Sequence, residues 1–155
     1  MMILSEMTRI DRTIEIAAPP ERVWRALTDA RELSDWFQVT IDGEIRVGNE
    51  VWMTSTHPGY EGQRFAVEFV ELTPPRRMVW RWHPGAVDPA IDYSREARTT
   101  VTFTLEPAGR GTQLTMAETG FDEITLARRA AVYQDNNQGW DEVLGQLQTY
   151  VEAKR

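Results

Sequence analysis

Ile10, Ile14 and Ile16 in RIDRTIEIAA share one side of a two-residue alternation, and Asp11 and Glu15 share the other. That is the pattern of a half-buried strand. Pro19-Pro20-Glu21 then opens a helix. Proline suits a first turn, where the N–H it lacks would be unpaired, and a carboxylate there meets the positive end of the helix dipole. Val23, Trp24 and Leu27 form an apolar stripe, and a second short helix, DARELSDWF, carries Leu33, Trp36 and Phe37 at helical spacing.

From about Val39 to Glu118 the period changes to that of strands bounded by turns, near 39–47, 50–57, 62–72, 76–83, 97–106 and 111–118. Phe65/Val67/Phe69, Met78/Trp80/Trp82, Val101/Phe103/Leu105 and Leu114/Met116 alternate with Arg64, Glu68, Arg77, Arg81, Thr102 and Thr104. One apolar and one wet face is how an antiparallel sheet covered on one side reads. Short connections such as Pro74-Pro75 and Gly109-Arg110-Gly111 suit an up-and-down meander.

The segment from about Asp122 to Lys154 reads as one long helix. Its stripe is Leu126, Ala130, Tyr133, Asn137, Trp140, Leu144, Leu147 and Val151, spaced alternately four and three. A helix with one sticky face needs a matching apolar surface, and the sheet offers the only one. The expected fold class is therefore α+β: a curved antiparallel sheet of about seven strands around the C-terminal helix, in the order β-α-α-β6-α.

The 155 residues suit a single domain spanning 1–155, and 41% hydrophobic with 26% charged residues is ordinary for a soluble protein. Seventeen basic against 24 acidic side chains, net −7, argue against a nucleic-acid partner, which needs a concentrated basic face. The absence of cysteine excludes disulfides, thiolate metal sites and thiol nucleophiles. No secretory or transmembrane-length apolar run appears, so a cytoplasmic location without membrane insertion is expected.

APPERVWRALTD with the following DWF, the hairpin strand GTQLTMAETGF, and GWDEVLGQLQTYV in the last helix stand in the right order along nearly the whole chain. Through them the chain resembles the activator of heat-shock protein 90 ATPase-like family of the START-like (SRPBCC, helix-grip) superfamily. The resemblance implies a seven-stranded sheet with a cavity between it and the last helix. It also implies lipids, sterols, polyketides or hormones as ligands, cyclase or hydrolase activity in some members, and a link to the stress response. The co-chaperone that names the family carries a further N-terminal domain, which this chain is expected to lack; that weakens a chaperone partner.

A meander makes the strands ending at His57, His83 and Glu118 run the same way and finish at one end of the sheet. The insertion Pro84–Glu96 and the start of the last helix fall there too, and long irregular segments more often gate sites than fill cores, so this end is read as the cavity mouth. The two histidines would stand about 10 Å apart, two strand spacings. That is loose for a metal, and neither a metal nor a cofactor is expected.

Asn137 interrupts the helix stripe, and buried amides are usually satisfied within the fold. With Tyr133 and Trp140 it makes a candidate amphipathic wall. Trp36, Phe65, Phe69, Trp80, Trp82, Phe103 and Met116 are core residues that become ligand-binding walls where the helix stands off the sheet. Gly139 and Gly145 inside the helix suggest a close approach, a bend or room for a ligand.

No catalytic motif is present: there is no Gly-x-Ser-x-Gly elbow, phosphate loop, dinucleotide fingerprint or His-Glu-x-x-His helix. The leading expectation is a binding protein for a small hydrophobic or amphipathic molecule. The alternatives are a cyclase- or hydrolase-like enzyme using Glu118, His57 or His83 in proton transfer, and a co-chaperone-like interaction protein; a homodimer is the candidate assembly.

Overall fold

In the computed structural model, which describes residues 3–86 and 88–153, the alternating segments pair into one sheet. The strands are β1 (Arg9–Ile16), β2 (Val39–Asp42), β3 (Glu50–Ser55), β4 (Arg64–Thr73), β5 (Arg77–Trp82), β6 (Thr99–Ala108) and β7 (Gly111–Thr119). Their order is β1-β7-β6-β5-β4-β3-β2, with every pair antiparallel. Six strands form the expected meander. The first strand closes onto the last, Ile10 opposite Glu118 and Ile14 opposite Leu114.

Helices α1 (Pro20–Thr28) and α2 (Ala30–Phe37) bridge β1 and β2 at opposite edges of the sheet. Asp29 caps α2 by accepting from the Glu32 amide at 3.0 Å. Trp36 Nε1 donates to the Ala26 carbonyl at 2.7 Å, which locks the two helices together. Gln38 ends α2 in the left-handed region, φ 58°, and turns the chain into β2.

The long helix α3 (Leu126–Ala153) lies across the inner face. It starts four residues later than its apolar pattern predicts. Gly120, at φ 101°, turns the chain into a 3-10 turn (Phe121–Glu123) that buries Phe121 and Ile124, whereas Leu126 is exposed. The predicted far end, Lys154, lies outside the described residues. Tyr133, Trp140, Leu144, Leu147 and Val151 are buried against inward residues that include Val67, Phe69, Met78, Trp80, Val101, Phe103, Leu105, Leu114 and Met116. The grip of sheet on helix is thus the core itself. Tyr150 Oη donates to Glu32, which also accepts from Arg22, so the C-terminal part of α3 is tied to α1 and α2 as well.

A side chain placed on Gly139 or Gly145 would meet nothing within 4 Å, so neither glycine marks a close approach of helix to sheet. The two kinds of helix position are therefore expected to respond in opposite directions. Leu147→Ala empties a fully buried site and is expected to cost about 2–5 kcal/mol. Gly145→Ala is expected to add up to about 1 kcal/mol by removing backbone freedom. Chemical denaturation of both variants checks this, and a destabilised Gly145→Ala would contradict it.

Candidate functional site

Thr112, Leu114, Met116 and Glu118 alternate along the inner side of β7, and all four are fully buried. Glu118, at the end of the strand, is the only acidic or basic side chain buried to that degree among the described residues. Both its oxygens are occupied. Oε1 accepts from Trp140 Nε1 at 2.8 Å and Asn136 Nδ2 at 3.0 Å. Oε2 accepts from Thr99 Oγ1 at 2.6 Å, Trp82 Nε1 at 2.9 Å and Asn136 Nδ2 at 3.1 Å. The donors come from the end of β5, the start of β6 and the middle of α3. A carboxylate buried without a cation is expensive unless hydrogen bonds replace its hydration shell. These four side chains do so, and every one is neutral.

A cavity of about 320 Å³ opens beside this cluster, between α3 and the inner edge of β2 to β5. Phe37, Phe65 and Trp82 form an aromatic wall: Phe37 stacks on Trp82 at 6.5 Å, and Phe65 meets Trp82 edge-on at 5.9 Å. Val39, Val143 and the Pro84–Ala86 stretch complete the apolar lining, and Ser55, His57, Tyr60, Gln63, His83 and Asn136 supply polar atoms. Trp82 and Asn136 belong to both features, so the cavity wall is also the outer shell of Glu118.

The histidines sit where strand polarity puts them, at the ends of β3 and β5, and both line the cavity. His57 Nδ1 faces the Pro58 carbonyl and Nε2 faces Glu142, each at 2.9 Å. Both partners are acceptors, which suits the doubly protonated ring. The Glu142 bond, then the Pro58 carbonyl, holds the His57 pKa above its ordinary 6.5. His83 moves the other way, lowered first by burial and then by the Arg98 charge. Among the described residues no group of three or more His, Asp or Glu side chains is placed to hold a metal.

Other candidates fall elsewhere. Trp36, Phe69, Trp80, Phe103 and Met116 are buried core residues away from the cavity lining. Trp140 closes the expected gap by packing its ring on Phe103 at 5.9 Å and on Trp82 at 6.1 Å. Tyr133 Oη donates to the Arg9 carbonyl and its ring packs on Phe121. Asn137 is not on the inner stripe: its carbonyl and Oδ1 accept from Arg12, over β1. The inward amide is Asn136. An alternation of three and four from Tyr133 fits either residue, since adjacent helix positions differ by only about 100° of arc. Phe37, Val39, Ser55, Tyr60, Gln63 and Val143 are cavity residues that only the assembled fold brings together.

The insertion after His83 does not simply cap this mouth. Pro84–Ala86 borders the cavity, Val87 lies outside the described residues, and Asp88–Arg98 folds toward the outer faces of β3 and β4. There it walls a broader concavity of about 1010 Å³ with Trp52, Arg64 and Ala66. Arg128 of α3 pins the insertion by bonding the Pro84 carbonyl at 3.1 Å, pairing with Glu96 at 3.3 Å and lying over Tyr93. Arg98 pairs with Glu68 on the outer sheet face. The smaller space is the better candidate site, because it combines an aromatic wall with an oriented buried polar cluster.

Glu118→Ala orphans four donors at about 1–3 kcal/mol each and is expected to cost several kcal/mol, far more than Glu118→Gln. Denaturant unfolding checks the order. The His57–Glu142 contact has a raised folded pKa, so its stability is fully present below 6.5 and is lost as pH rises through the folded value. The Tm deficit of Glu142→Gln is thus expected to be measurable near pH 6 and to shrink toward pH 9. The free-energy contribution of the contact should stay below about 1 kcal/mol, because both partners are partly exposed.

Comparison with known proteins places this architecture. Protein MLL2253 from Mesorhizobium loti is 26% identical over 95% of this chain and 98% of its own, with a TM-score of 0.75. Protein CV1439 from Chromobacterium violaceum is 25% identical, covering 94% and 97% at a TM-score of 0.72. The Aha1 dimer from Colwellia psychrerythraea, 24% identical over 93% and 96% with a TM-score of 0.68, shares the fold. No curated protein matches the chain significantly. The family described as Activator of Hsp90 ATPase homolog 1-like protein matches residues 17–152, well over half the sequence. The chain belongs to the Activator of Hsp90 ATPase homolog 1-like protein family.

Proposed function

We propose that the protein binds one small apolar or amphipathic molecule in the cavity between the inner sheet face and α3. The observation that carries this reading is the aromatic wall of Phe37, Phe65 and Trp82, standing open to a space of about 320 Å³ at the edge of the core between sheet and helix. Binding sites commonly measure about 300–1,000 Å³ with mostly apolar walls and a few placed polar groups. This one lies at the small end, which favours a compact ring compound over a long-chain lipid.

Catalysis in the same cavity is the weaker reading. Glu118 is fully buried and both its oxygens are engaged, so of the three groups considered for proton transfer only His57 and His83 border the space. A dimer, the state named for the Colwellia protein, is the assembly to examine first, by sedimentation of the purified chain.

Mass spectrometry of molecules extracted from the purified protein, with titration of a lipophilic fluorescent probe, tests the binding reading. Val143→Trp puts an indole into the cavity from α3 and is expected to weaken the probe at least about tenfold while leaving the fold intact. Undiminished binding in that folded variant would move the site elsewhere.

A further inference from the structure

The Asn136 amide is oriented by its surroundings. Its Nδ2 stands 3.0 and 3.1 Å from the two oxygens of Glu118. Turned the other way, it would press its own oxygen against two carboxylate oxygens with no proton between them. Glu118 cannot swing aside, because Trp82, Thr99 and Trp140 hold it from three other directions. The amide oxygen is consequently left over. No hydrogen bond within the described residues engages Oδ1, it is not among the fully buried unsatisfied atoms, and Asn136 lines the cavity. The indole N–H groups of Trp82 and Trp140, which share the Glu118 carboxyl group with Asn136, are spent on it, so neither is left to pair with Oδ1 or with a ligand beside it.

We infer that Asn136, positioned by Glu118, is the specificity-determining residue of the cavity, and that it selects small aromatic or alicyclic molecules bearing a hydroxyl or N–H donor over isosteres that can only accept. This rests on the binding reading above and deepens it. The donor reaches Oδ1 while the ring lies against Phe37, Phe65 and Trp82, where offset or edge-on contact between rings is favourable. An ether or carbonyl in the same place leaves Oδ1 facing another acceptor in a site that has shed its water. Glu118 touches no ligand in this scheme; it acts by fixing which end of the amide faces the cavity.

Calorimetric titration with 2-naphthol and with 2-methoxynaphthalene tests it, since the two present the same rings and only the first donates. The wild-type protein is expected to bind the naphthol about tenfold more tightly, the worth of one hydrogen bond made without competing water. In Asn136→Leu the ratio is expected to fall to about one with binding of the ether retained. In Glu118→Gln, whose own amide can donate and so releases the Asn136 orientation, the ratio should fall while Asn136 is still present. A purely structural role for Glu118 would weaken both compounds in parallel and leave the ratio unchanged, which would overturn its positioning role. A wild-type ratio near one with both compounds bound overturns the specificity inference alone. So does a high ratio that survives Asn136→Leu, a variant that tests the inference even if Glu118→Gln fails to fold. Failure of both compounds to bind the wild-type protein overturns the inference together with the binding reading.

Discussion

A buried carboxylate, hydrogen-bonded by four neutral side chains and paired with no cation among the described residues, is the constraint around which this fold is arranged. Dispersion and hydrophobic burial hold α3 to the sheet along its length, but they are tolerant of sliding and rotation. Hydrogen bonds to Glu118 are not. They require Trp82 at the end of β5, Thr99 at the start of β6 and two positions on α3 to arrive within about 3 Å of one carboxyl group at once. That condition sets the rotation of the helix over the sheet and the height at which the strands end beneath it.

The cavity follows from the same arrangement. Toward its C-terminal end, α3 buries Leu144, Leu147 and Val151 almost completely. Near the carboxylate the partners are two indoles, a hydroxyl and an amide, whose positions are set by hydrogen-bond geometry as well as by packing. Trp140 fills the space against Phe103, and room remains on the far side of Trp82, where Phe37 and Phe65 stand and the sheet runs out toward its β2 edge. The opening is thus displaced from the centre of the sheet to one side of it. His57 and Glu142 bridge a strand end to the helix there, and Arg128 anchors the insertion that follows His83.

Much of this was legible beforehand, for reasons that belong to individual residues. The alternation of Phe65/Val67/Phe69 against Arg64/Glu68 could be satisfied only by a one-sided sheet, and the short turns left a meander as its simplest pairing. Strand polarity then brought His57, His83 and Glu118 to one end without any knowledge of contacts. The residues of the aromatic wall are harder to read: Phe65 and Trp82 resemble every other inward ring of the strands, and Phe37 belongs to helix α2, outside the sheet altogether.

The sequence by itself determined the period of each segment, the face each segment buries, the direction of each strand and therefore the end of the sheet at which polar groups would gather, because these follow from local backbone geometry. Only the tertiary structure decided which of two adjacent asparagines faces inward, that Trp140 closes one space while Trp82 borders another, and that most of the insertion after His83 turns to the outer face. Those outcomes depend on the rotation of α3 about its own axis and on where packing fails. Rotation is fixed by long-range contacts such as Asn136 to Glu118 and Arg12 to Asn137, between groups far apart in the chain.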